Sequence, residues 1–75
     1  MNGELRHLID MANQIATNLR FAAEDDAAAA DLVANHIQRF WARSMKTQIA
    51  DYVQSDGADL YQVARLAIAL LDNNM

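Results

Sequence analysis

Leu5-Arg6-His7-Leu8-Ile9-Asp10-Met11-Ala12-Asn13-Gln14-Ile15-Ala16-Thr17-Asn18-Leu19 carries its apolar residues at helical spacing. Leu5, Leu8, Ile9, Ala12, Ile15, Ala16 and Leu19 follow an i, i+3, i+4 pattern and fall within an arc of about 120°. Arg6, Asp10, Asn13, Gln14, Thr17 and Asn18 take the other side. The spacing predicts a helix from about Glu4 to Phe21, with Arg20 suited to the negative end of its dipole. Phe21 falls on the polar side, so the helix has ended there or the ring meets something else. A helix with one apolar side needs further elements to cover it.

Those elements are legible downstream. Asp25 or Asp26 suits the N-cap of a second helix, and the neighbouring acids suit its positive end. This helix runs to about Trp41, with Ala30, Val33, Ala34, Ile37, Phe40 and Trp41 on its apolar side. Met45, Ile49, Tyr52 and Val53 continue the pattern, but the stripe drifts. The drift suggests a kink or a break between Ala42 and Ser44; Ser44 is suited to cap a third helix from Met45 to about Val53, but no residue forces a break. Ser55-Asp56-Gly57 is the clearest stop signal. Asp59 suits the cap of a last helix from Leu60 to about Leu71. Apolar residues cover about 200° of that helix, more than a one-sided surface helix needs. It is therefore either central in the bundle or faces a partner with part of its arc.

Composition agrees with helices. The chain has 75 residues, no proline, two glycines and fifteen alanines. Alanine is the strongest helix former, and turn-rich β architectures lack their punctuation here. The expected fold is all-α, a compact bundle of three to four short helices in one domain spanning residues 1–75. A chain this small buries only about 60% of its unfolded surface, so a partner's stabilisation is expected. With no cysteine, disulfides, thiol nucleophiles and cysteine-based metal sites are excluded. The longest apolar run, Leu66 to Leu71, is six residues, far below the roughly 20 that span a bilayer. Met1-Asn2-Gly3-Glu4 shows no basic region leading into an apolar stretch, so no secretory leader is expected. Net charge is −4. That sign opposes non-specific nucleic-acid binding and attachment to an anionic membrane.

Reactive constellations are missing from the pattern. His7 and His36 show no metal-ligand spacing. His36 is either solvated or joins Arg39 and Arg43 in a polar contact strip. Glu24, Asp25 and Asp26 read as caps, because acid–base pairs usually come from separate elements enclosing a substrate. Gly3 and Gly57 stand alone, so there is no phosphate-cradling loop. No catalytic residue, metal ligand or cofactor-binding residue is expected, and no cofactor. Phe40-Trp41 is more informative. Adjacent helical residues point about 100° apart. Either Trp41 fills the core with Phe40 at its edge, or one ring is an exposed anchor of the kind enriched at interfaces. Arg39, Arg43 and Lys46 would share a stripe if the helix continued. They form a solvated face or meet an acidic partner surface.

Two segments carry a family resemblance. The first is Ile9-Asp10-Met11-Ala12-Asn13-Gln14-Ile15-Ala16, continuing through Asn18-Leu19-Arg20. The second is Val33-Ala34-Asn35-His36-Ile37-Gln38-Arg39-Phe40-Trp41, followed by Arg43-Ser44-Met45. Together, in order and at this length, they resemble the delta subunit of soluble NAD-dependent formate dehydrogenases. That family follows Phe-Trp with Asp-Pro-Arg-Met, a cap and a helix-opening proline. Here Ala42-Arg43-Ser44-Met45 lacks both. The resemblance implies a cytoplasmic, non-catalytic accessory subunit that acts by protein–protein contact in assembly or stability. Its implied partners are the larger formate dehydrogenase subunits, first among them the catalytic alpha subunit bearing molybdenum or tungsten. Asn13, Gln14, His36, Arg39, Phe40, Trp41, Arg43 and Met45 are the expected partner-binding positions, with Trp41 and Met45 the readiest to be core instead. The alternative is a self-associating helical adaptor, a homo-oligomer built on the last helix.

Overall fold

The computed structural model describes residues 3–73 and folds them into four helices with no strand among them. They are α1 (Gly3–Arg20), α2 (Asp26–Phe40), α3 (Arg43–Ser55) and α4 (Gln62–Asn73). The all-α bundle is the expected fold. Met1 and Asn2, on which the leader reading rests, lie outside the described residues.

Side chains local to each end explain most boundaries. α1 stops at Arg20, whose Nε donates to Asp26 Oδ1 (2.7 Å) and whose Nη1 donates to the Ala23 carbonyl (3.1 Å). The turn leaves Phe21 88% exposed, so the helix ends before it. Asp25 is the N-cap of α2 and accepts from the Ala28 N–H (2.9 Å), satisfying a donor with no partner inside the helix.

Sequence reasoning misplaced the start of α3. Ala42, not Ser44, is its N-cap, and Arg43 is its first residue. Trp41 and Ala42 are both extended, which ends α2 and turns the chain. No proline is needed for this. The turn places the Trp41 ring in the core while Phe40 stays outside. Ala42 makes no side-chain cap bond. Lys46 Nζ instead donates to the Gln38 carbonyl near the end of α2 (3.3 Å), tying the two helices at the corner.

The start of α4 also differs. Asp59 does not cap it, and the helix begins at Gln62 rather than Leu60. The cap comes from α1. Asn13 Oδ1 accepts from the Tyr61 N–H, and Asn13 Nδ2 donates to the Asp59 carbonyl, both at 2.9 Å. Asp59 is held at two further points. Its N–H donates to Tyr52 Oη (2.9 Å), and its carboxylate pairs with Arg6 (3.1 Å). Desolvation opposes the Arg6 charge, but Asp10 and Asp59 outweigh it and raise the Arg6 pKa. Gly57 takes a positive φ of 70° at the head of this loop, a conformation glycine adopts freely.

The core is small-residue packing around α4. Ala29, Ala30 and Ala34 of α2 and Ala64 and Ala67 of α4 are buried, and α2 with α4 is the most extensive helix pair. Alanines let two backbones approach closely, and Ile9, Ile37, Ile49 and Ile68 fill the remaining space. α4 packs against all three other helices, so its wide apolar arc mostly reflects a central position. Leu66 is the part left outside.

Two substitutions test this account. Asn13→Ala leaves the Asp59 carbonyl and Tyr61 N–H unpaired and should cost about 2–3 kcal/mol in urea unfolding. Ala42→Asp adds the missing cap, beside two cations, and should stabilise by about 1 kcal/mol in the same assay.

Candidate interaction groove at the α2–α3 corner

The extended pair Trp41–Ala42 opens a groove of about 550 Å³ between the corner and α1. One wall is a stripe of α1: His7, Met11 and Gln14, at i, i+4 and i+7, with Asp10 and Ile15 beside them. The other wall is His36, Phe40, Trp41 and Met45. The core stripe of α1 (Leu8, Ile9, Ala12, Asn13 and Ala16) points elsewhere, which leaves the second stripe free to face the groove.

Phe40 dominates the corner. Its ring is 69% exposed, whereas Trp41 is 6% exposed. His36, one turn earlier, lies 4.9 Å from the Phe40 ring at a 45° tilt. The Arg39 guanidinium carbon is 5.8 Å from the same ring centroid, within cation–π range. These contacts flank the exposed ring at the end of α2. Of the two readings of Phe40-Trp41, the structure gives one role to each residue: Trp41 is core, and Phe40 is the exposed ring.

The expected partner-binding residues divide. Gln14, His36, Phe40, Trp41 and Met45 come together in the groove, although they lie on three helix segments. Arg39 flanks it over Phe40, and Arg43 stands exposed in the first turn of α3. Asn13 does not join them. It is buried at 9% exposure, and its amide is committed to the Asp59–Tyr61 backbone. Its place beside polar residues concealed this, because a buried amide and a solvated one look alike in a sequence. In the sequence His7 shows only that it has no metal-ligand spacing, and Met11 only that it belongs to a motif. The i, i+4, i+7 relation of His7, Met11 and Gln14 was the signal that would have placed them together.

The electrostatics of the corner are one-sided. Arg43 and Lys46 sit in the first turn of α3, which carries no acid. Cations at a helix N-terminus are disfavoured by roughly 0.3–1 kcal/mol each. Among the described residues no three of His, Asp and Glu are grouped to hold a metal ion, and no helix is long and apolar enough to cross a membrane.

The fold and groove define the class of protein: a small all-α bundle that presents one aromatic ring at an open corner. A family model of the NADH-dependent formate dehydrogenase delta subunit, FdsD, matches residues 7–68, which include both segments that carry the resemblance. The chain belongs to that family. No curated protein and no solved structure matches it.

The two aromatic neighbours should part in a stability measurement. Trp41→Ala empties a core position and should cost about 3–5 kcal/mol in chemical denaturation. Phe40→Ala should cost under about 1 kcal/mol, because its ring is largely in solvent already.

Proposed function

We propose that this chain is a non-catalytic accessory subunit of a metal-dependent, NAD-linked formate dehydrogenase. It acts in the cytoplasm as one helical domain. It binds the larger subunits, first the catalytic alpha subunit, and supports assembly or stability of the complex by protein–protein contact. Family membership supports the complex, and the Phe40 groove supports the contact.

One observation carries the docking site. Phe40 is a large apolar ring in solvent, braced by His36 and Arg39, at the edge of a groove that gathers residues of both family segments. In the isolated chain that exposure costs hydrophobic free energy, on the order of 25 cal/mol per Å² left wet. Buried aromatic and arginine side chains dominate binding energy at interfaces. Trp41 and Met45 give the groove apolar lining, while His36 and Gln14 offer polar contacts at its walls.

Affinity purification tests the proposal. The tagged chain, expressed with the larger formate dehydrogenase subunits, should retain them. Phe40→Ala should reduce the recovered complex by about tenfold or more, with helicity by circular dichroism unchanged. Failure of the wild-type chain to retain those subunits would overturn the accessory reading. Equal recovery by the variant would overturn the docking site.

A further inference from the structure

The two arginines at the corner form no ion pair among the described residues. The chain has six lysines and arginines against ten acids. Arg6 and Arg20 are in ion pairs within the molecule, and Arg65 donates to the Leu60 carbonyl. Lys46 is tied to the Gln38 carbonyl. Among the described residues, Arg39 and Arg43 pair with no carboxylate, and the Arg39 guanidinium lies over the Phe40 ring. The acidic chain thus gathers its uncommitted arginines on the two helices that meet at Phe40.

We infer that the surface this corner receives is an acidic stretch of a larger subunit's polypeptide, with carboxylates seated on Arg39 and Arg43 beside an apolar side chain in the Phe40 groove. The inference rests on the docking reading above and gives its partner a chemistry. Arginine forks carboxylates with two parallel hydrogen bonds, and its weak hydration makes it well suited to ion pairs at an interface. The apolar groove gives the neighbouring side chain a place to leave water. A second copy of this chain is a poorer occupant, because two of the three acids in its Glu24–Asp26 segment are already committed. Asp25 caps α2, and Asp26 pairs with Arg20. Nucleic acid fits poorly against a chain of net charge −4.

The test uses purified formate dehydrogenase lacking this subunit, titrated with the full chain at low and high salt. Wild-type affinity should fall several-fold between about 0.1 and about 0.5 M NaCl, as screening weakens the ion pairs. Arg39→Glu/Arg43→Glu should weaken binding by at least about tenfold at low salt and reverse that salt dependence, because salt then screens a like-charge repulsion. Its thermal melt should stay close to wild type, because the helix dipole disfavours the acid gained at the end of α2 and favours the one gained at the start of α3. Phe40→Ala separates the two claims. If it weakens binding while the double variant and salt do not, the groove stands and the acidic partner is overturned. If neither variant weakens binding, the docking reading falls with it. A wild-type dimer abolished by Arg39→Glu/Arg43→Glu, or tighter binding to a DNA oligonucleotide than to the enzyme, would also overturn the acidic subunit surface.

Discussion

The amide of Asn13 ties α1 to the loop from which α4, the most central helix, starts. It presents a donor and an acceptor to two backbone groups, the Asp59 carbonyl and the Tyr61 N–H. This is the pairing that a neighbouring strand would supply, made here by one side chain of α1. Asp59 is gripped at the same time at its N–H by Tyr52 and at its carboxylate by Arg6. The loop after α3 is therefore attached to α1 and α3 before α4 begins. Leaving such groups unpaired in a partly buried site costs more than the bonds themselves contribute, so the arrangement is close to all-or-none. α4, the most central helix, inherits its starting point from that loop.

The same constraint positions the groove. Asn13 turned inward fixes the rotation of α1 about its axis. With that rotation, Leu8, Ile9, Ala12 and Ala16 meet the core, and His7, Met11 and Gln14 are carried to the corner where α2 ends. At the corner the backbone needs only two extended residues to send Trp41 inward and leave Phe40 outside. The buried ring anchors the turn, and the same turn leaves the neighbouring ring outside.

Periodicity revealed the helices because each buries one stripe, and a 3.6-residue repeat is local information. The first helix, the Asp25 cap and the stop at Gly57 were all legible in this way. The break after Trp41 was visible only as drift, and its position was misjudged. The signals sought were a capping serine and a missing proline, while the turn actually follows from burial of one large ring. Asp59 looked like a cap because an acid before an apolar run usually is one. It pairs with Arg6 instead, since the cap arrives from Asn13, 48 residues before Tyr61 in sequence. Interactions at that separation leave no periodic trace. Gln14, His36, Phe40, Trp41 and Met45 entered as positions in a family pattern, and their convergence is a tertiary fact.

The central claim is that the Phe40 corner is the surface that meets the larger formate dehydrogenase subunits. Amide hydrogen exchange of this chain, free and in complex, tests it directly. The account predicts new protection concentrated at the end of α2 and the start of α3, residues 36–46, while α4 is already protected in the free chain by its central packing. New protection confined to the Phe21 turn or the Leu66 side of α4, with residues 36–46 exchanging as in the free chain, would contradict it.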